Sequence, residues 1–375
     1  MIDFNVPFLS GREMVYIQEV INSKKFAGDG QFNKKDENLL SDLTGARKTS
    51  LTSSGTQALE MAALLLGIER GDEVIMPSFT FSSTANAFLL MGAKIKFIDI
   101  KPDTMNMDED LIEDAITDRT RAIVPVHYAG IACDMDKINK IANNHGIDVF
   151  EDAAQCIQSY YRGRALGTLG NLGIYSFHET KNIQCGEGGA IILNDLKYAE
   201  RSNILMEKGT NRIKFINGEI DHYTWVDVGS SYLMNEISAG FLYAQLQEVR
   251  RVTKRRRELW NLCLESLRDI DGVELPFVPR YAEGNGHIFF IKLKDDIVSK
   301  QLRLFLKDKG IDARTHFVPL HSSPYGKDKT EFVGHDNYTT NESKRLLRLP
   351  MHYYLSDDDV KSVCSKIREF MRDNH

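Results

Sequence analysis

The chain has 375 residues, more than one compact core usually fills and enough for two domains. Hydrophobic residues make up 42% and charged residues 27%, the balance of a globular protein in water, and no apolar run approaches the ~20 residues needed to span a bilayer. The formal net charge of −6 argues against a nucleic-acid partner, whose phosphates call for a basic surface.

The N-terminus, Met1-Ile2-Asp3-Phe4-Asn5, lacks the charged-then-apolar pattern of a secretory signal, so a cytoplasmic protein is expected. Residues 55–66 read as an apolar, Ala-rich helix and 73–76 as a short strand closed by Pro77. Strands follow at 94–100, 121–127 and 147–150, with helices at 108–116 and 135–145 between them. Strands at 173–177 and 190–193 complete an alternation that predicts an α/β fold, a doubly wound, mostly parallel sheet with helices on its faces. Beyond about residue 240 the character changes. A long charged helix is expected at 244–267, a strand at 288–293, a helix at 299–309 and a strand near 311–314, with a polar surface loop at 326–337. The expected division is a large domain over 1–243 and a smaller α/β domain over 244–375. The five cysteines, Cys133, Cys156, Cys185, Cys263 and Cys364, show no CxxC spacing; they suit free thiols in a reducing cytosol and suggest no metal site.

Three local patterns carry chemistry. Ser53-Ser54-Gly55-Thr56 opens the first of these helices, where free backbone N–H groups and the helix dipole favour a phosphate. Gly55 permits close approach there, and Ser54 and Thr56 add hydroxyls. The same residues also make an ordinary helix cap. Asp152 follows the strand at 147–150, at the edge where open α/β sheets bind ligands; an acid there can keep a pyridine nitrogen protonated. Gln155, a turn later, can donate to a ring oxygen. Lys181 follows an apolar strand and precedes Gly186-Glu187-Gly188-Gly189; partial burial and cationic neighbours can make such a lysine a nucleophile. Ser176 stands where a hydroxyl can bind phosphate, and Phe79 or Phe81 could offer a stacking face. Singly, each has a plain structural reading as cap, core residue or solvated lysine. Together, in this chain order, they describe an anion site, an acid for a ring nitrogen and an amine.

With Pro77-Ser78-Phe79-Thr80-Phe81, Pro125-Val126-His127-Tyr128-Ala129-Gly130, Glu151-Asp152-Ala153-Ala154-Gln155 and Ser176-Phe177-His178 added, the chain resembles the DegT/DnrJ/EryC1/StrS nucleotide-sugar aminotransferases of fold-type I over nearly its whole length. The resemblance implies pyridoxal 5′-phosphate as cofactor, with Lys181 as its Schiff-base lysine and proton shuttle. It implies Asp152 on the pyridinium nitrogen, Gln155 on the phenolic oxygen, Phe81 stacked on the ring, and Ser54, Gly55, Thr56 and Ser176 at the phosphate. Many members lend an Asn from a second subunit to that phosphate; Ser231, in Gly229-Ser230-Ser231-Tyr232-Leu233, stands in its place, and a homodimer with composite sites is implied. His316 and His321, in His316-Phe317-Val318-Pro319-Leu320-His321, match a segment near the sugar nucleotide. The segments at 207–212, 223–225, 229–234 and 346–350 are similar to the branch that makes dTDP-4-amino-4,6-dideoxygalactose for enterobacterial common antigen, which implies dTDP-4-dehydro-6-deoxyglucose and L-glutamate as substrates. The gluco epimer as product is the alternative within this class. A sugar dehydratase of the same fold would carry His in place of Lys181, and a non-catalytic sugar-nucleotide regulator has no need of the intact Ser, Asp and Lys set.

Overall fold

The computed structural model describes residues 1–374. Its strands, in chain order, are β1 (Lys48–Thr52), β2 (Glu73–Pro77), β3 (Lys94–Ile98), β4 (Thr120–Ile123), β5 (Asp148–Asp152), β6 (Tyr160–Tyr161), β7 (Arg164–Ala165), β8 (Leu172–Ser176), β9 (Gly189–Leu193), β10 (Ala282–Glu283), β11 (Phe289–Lys292), β12 (Thr330–Phe332) and β13 (Leu346–Leu349). Eight of them form one sheet in the order β1-β9-β8-β5-β4-β2-β3-β12. The run from β8 to β12 is parallel, and β9 lies antiparallel to both its neighbours.

Both faces of this sheet are buried, which is why its strands read as continuous apolar runs. Ile75, Ile123, Val149 and Ile192 point into one core, with Tyr16 and Val20 of α1 (Glu13–Ser23), Phe32 and Leu40 of α2 (Gln31–Thr44) and the buried helix Glu236–Leu246. Val74, Met76, Val124, Phe150 and Ile191 point the other way, under α3 (Gly55–Leu65) and α4 (Ser82–Leu89). Alternate residues of each strand thus serve opposite layers. A third core gathers β11, β13 and the helices Val249–Leu267, Asp296–Asp308 and Asp357–Asn374. Phe79, Tyr128, Ile288 and Phe290 form a fourth cluster, joining residues of the large sheet's loops to those of the small one.

Three expected elements differ. The helix expected over 244–267 is two helices, Glu236–Leu246 and Val249–Leu267, which break at Gln247–Glu248. The first is buried on most sides and the second on one stripe, so no single straight axis would serve both. The strand expected near 311–314 is reduced to isolated bridges, Ile2 with Ile311 and Arg314 with Arg348. The polar stretch expected as a loop contains the helix Gly326–Lys329 and strand β12, which extends the large sheet beside β3. Its polar residues are those of an edge strand, with one side left to water. The chain therefore crosses the expected division three times: residue 2 pairs with the C-terminal portion, residues 282–283 pair with β6, and residues 330–332 join the large sheet.

Candidate active site

Parallel strands joined by crossover helices bring their carboxyl ends to one edge. Here that edge carries the segments after β2, β5 and β8. Thr52 pairs with Gly189, so β1 also ends there, and α3 starts from it. These segments, with residues of the small sheet and the N-terminus, wall a cavity of about 740 Å³.

At one end lies the start of α3. Ser54 is extended, and its hydroxyl oxygen accepts from Gln57 N at 3.1 Å. That closes one first-turn donor and leaves the Gly55 and Thr56 N–H groups without a helical partner. A Cβ on Gly55 would lie 2.9 Å from Ser176 Cβ and 3.1 Å from its Oγ, so glycine lets the helix end rest on Ser176. A Cβ on Gly189 would strike the Ser54 carbonyl at 2.5 Å, the reason a glycine ends the Gly-rich turn. Thr56 Oγ1 meets Ser83 Oγ at 2.9 Å and ties α3 to α4.

Asp152 ends β5 with its carboxyl in the cavity wall. Oδ2 accepts from Thr84 Oγ1 at 2.7 Å and Oδ1 from Ala154 N at 3.1 Å. Thr80 Oγ1 stands 2.9 Å behind Thr84. Next to it, buried Glu151 accepts from the N–H groups of Gly167, Leu169 and Gly170 at 2.6–2.8 Å and pairs with His127 Nε2 at 3.0 Å. His127 Nδ1 accepts from Cys133 N at 3.1 Å, so Nε2 is the donor. Glu151 and His127 thus clamp the backbone from which Asp152 projects.

Lys181 also lines the cavity, half-buried, and its Nζ has no hydrogen-bond partner among the described residues. Burial lowers its pKa below the ordinary lysine value; Asp152 and Cys156 oppose that, and Arg348 adds to it. Gln155 Oε1 accepts from Ala129 N at 2.7 Å, which leaves its amide N–H₂ as the free end. His316 Nδ1 meets Tyr128 Oη at 3.1 Å. Burial, with Arg348 and Lys181 nearby, pushes the His316 pKa down to about 2, so this imidazole is neutral. Of the two candidate stacking rings, Phe79 is core, edge-on to Tyr128 and Phe317, while Phe81 caps α4 and stands 61% exposed on the cavity wall. His178 lines the cavity too, with Nδ1 2.9 Å from Thr180 Oγ1.

Lys181, Asp152, Gln155, Ser54, Gly55, Thr56, Phe81, Ser176 and His316 are therefore brought together around one space. His321 is not. Its Nδ1 accepts from Ser78 Oγ at 2.7 Å, its Nε2 donates to Asp336 at 3.1 Å, and its ring packs edge-on against Phe332. The short 3₁₀ turn Leu320–Ser322 turns it toward Ser78, outside the lining of this cavity. Ser231 is exposed, bridged to Glu207, and does not wall its own chain's cavity. Thr84, His287 and Arg348 join the cavity wall, and Tyr128 stands behind His316, without having been given a role from the sequence. His287 Nδ1 donates to Asn182 Oδ1 at 2.9 Å. Arg348 and Tyr128 lie in the segments 346–350 and 125–130, which carry the family resemblance without a role for either residue.

Set beside known proteins, residues 8–368 match the model of the DegT/DnrJ/EryC1/StrS aminotransferase family. The spore coat polysaccharide biosynthesis protein SpsC of Bacillus subtilis (strain 168) is 32% identical over 98% of this chain and 97% of its own. Among solved structures, the aminotransferase TlmJ from Streptoalloteichus hindustanus superposes with a TM-score of 0.92 at 28% identity, covering both chains fully. DesV of S. venezuelae gives 0.91 at 29% identity, over 99% of this chain and 98% of its own. Sheet, cavity and relatives agree on a fold-type I architecture, and the chain belongs to the DegT/DnrJ/EryC1/StrS family of pyridoxal-phosphate-dependent sugar aminotransferases.

Proposed function

We propose that this enzyme transfers the amino group of L-glutamate to C4 of dTDP-4-dehydro-6-deoxy-D-glucose, giving dTDP-4-amino-4,6-dideoxy-D-galactose and 2-oxoglutarate. One observation carries the reaction type: a lysine amine without a partner among the described residues, a hydrogen-bonded carboxyl and an open helix N-terminus face a single cavity.

The residues fit pyridoxal phosphate. Gly55 lets the start of α3 rest on Ser176, which sets the Gly55 and Thr56 N–H groups and the Ser176 hydroxyl at one end of the cavity, and the helix dipole favours negative charge there. Asp152 would face the ring nitrogen, the free Gln155 amide the ring oxygen, and Phe81 one face of the ring. Bound there, the cofactor supplies an electron sink for charge that develops at the donor's α-carbon.

The remaining work falls to the chain. Lys181 Nζ would hold the cofactor and, once displaced by the donor, take the α-proton. Its lowered pKa gives more neutral amine than a solvated lysine has. Thr84 and the Ala154 N–H fix the Asp152 carboxyl so that it need not reorganise during turnover. His316, neutral and backed by Tyr128, can exchange hydrogen bonds with a sugar hydroxyl without adding charge.

The choice of sugar and epimer is supported by the four segments similar to dTDP-4-amino-4,6-dideoxygalactose transaminases. SpsC, a polysaccharide biosynthesis protein, is in keeping with an aminated sugar bound for a surface polymer. A cytoplasmic homodimer with Ser231 lent across the interface completes the reading. The test is to incubate the yellow holoenzyme with L-glutamate and the dTDP-4-ketosugar and assign C4 by NMR. Loss of the visible absorbance with glutamate and an axial amine are expected. An equatorial amine would replace the galacto product by the gluco one, and a colourless protein that ignores glutamate would refute the reaction.

A further inference from the structure

Arg348 brings a positive charge to the cavity wall and forms no ion pair with an acid among the described residues. It sits on β13, where Leu347 and Leu349 enter the small-domain core and strand alternation turns residue 348 to the other face. Nη2 donates to the Thr315 carbonyl at 3.1 Å, while Nε is enclosed and has no acceptor among the described residues. The acid whose charge reaches it, Asp312, is already bound by Arg314 through Nε at 3.0 Å and Nη2 at 2.6 Å. The Phe4 ring lies 4.7 Å from one guanidinium and 4.8 Å from the other, which restricts how Arg348 can tilt. A planar fork held this way on the cavity wall, with Nη1 left without an acceptor among the described residues, is a receptor for a carboxylate or phosphate.

We propose that Arg348 binds the α-carboxylate of the amino donor, and so selects amino acids as donors. The inference rests on the aminotransferase reading above. The donor's α-carboxylate is one bond from the carbon that Lys181 deprotonates, so its receptor must share Lys181's end of the cavity. The sugar nucleotide's diphosphate hangs from C1, across the ring from C4, and is carried away from Lys181 by the width of the sugar. Arg348 meets the first requirement: it lines the cavity that Lys181 and His316 line, tied by Nη2 to the carbonyl of Thr315 next to His316, and its charge adds to the lowering that burial imposes on Lys181 and His316.

The experiment uses the holoenzyme with Arg348→Gln and Arg348→Lys, checked for unchanged melting. The glutamate concentration that half-bleaches the cofactor absorbance should rise about 100-fold in Arg348→Gln and recover in part in Arg348→Lys. Calorimetric binding of the unreactive dicarboxylate glutarate should weaken in parallel. Return of the absorbance with the dTDP-4-ketosugar should keep its native concentration dependence. Weakening of the ketosugar step with glutamate untouched would make Arg348 a diphosphate ligand and overturn the proposal. Equal loss of both with a lowered melting temperature would reduce it to a packing residue. A native holoenzyme indifferent to glutamate would refute the aminotransferase reading itself, and this inference with it.

Discussion

Thr84 Oγ1 donates to Asp152 Oδ2 at 2.7 Å from the first turns of α4, and Thr80 Oγ1 stands 2.9 Å behind it. Both threonines are buried, so water cannot replace either bond. The pair makes a proton-donor relay aimed at the acid that would face the cofactor ring.

Thr84→Val keeps the shape and deletes the donor. It should lower kcat roughly tenfold with the cofactor still bound, and cost about 1–2 kcal/mol of stability in urea unfolding. Thr84→Ser restores the hydroxyl and should recover most of kcat. An unchanged kcat in the valine variant would mean that the Ala154 N–H alone fixes Asp152.

Gly55→Ala tests the phosphate end. Its backbone is helical, so alanine suits the helix, but the new Cβ would meet Ser176 Cβ at 2.9 Å. α3 or β8 must shift to relieve that contact, so the prediction is a lowered melting temperature for apoprotein, with cofactor affinity reduced about tenfold, read by titrating absorbance. Equal affinity would show that the close seat of α3 on Ser176 does not shape the anion site.

The parts of this site that sequence discloses are those set by local rules. A serine cap opening an apolar helix, an acid at a strand end and a lysine before a Gly-rich turn are each visible over a few residues. In a parallel sheet they must meet at one edge, because the crossovers leave no other place for strand ends. Thr84 is different: nothing in Ser82-Ser83-Thr84-Ala85 says that Asp152, far along the chain, lies opposite. His316 and His321 look equivalent as sequence, and a single turn parts them, one to the cavity and one to Ser78 and Asp336. Arg348 lies in a segment read in the sequence only as a likeness to one branch of the family; its place on the cavity wall and the acid it lacks are properties of the tertiary structure. Strand β12 was hidden because an edge strand need not be apolar.

Glu37 gives a pH prediction. Burial pushes its carboxyl up to about 7, against the hydrogen bond from Leu51 N that favours the charged form. Folded and protonated, it binds a proton that the unfolded chain releases near its ordinary value of 4.5. Its contribution is therefore complete below pH 4.5 and is lost as pH rises through about 7. Glu37→Gln, which can still accept from Leu51, should gain on the native protein across that window, by up to about 3 kcal/mol above it. Parallel urea melts at several pH values measure the difference; a gap that stays constant with pH would assign the raised carboxyl elsewhere.

The segment carrying Ser231 argues for a second chain. Trp225 is 77% exposed and Val226 and Val228 are about half exposed, beside a serine that its own cavity does not use. An apolar cluster this open is normally covered in the working assembly. The native protein should therefore sediment as two chains of 42.6 kDa each. Trp225→Glu places a charge where the cover would be desolvated, and should shift the equilibrium toward monomer by several kcal/mol. If Ser231 of the partner subunit completes the phosphate site, that monomer must bind pyridoxal phosphate more weakly, and Ser231→Ala must weaken it in the dimer without dissociating it. A monomer with native cofactor affinity would show that the Gly55, Thr56 and Ser176 donors suffice within one chain.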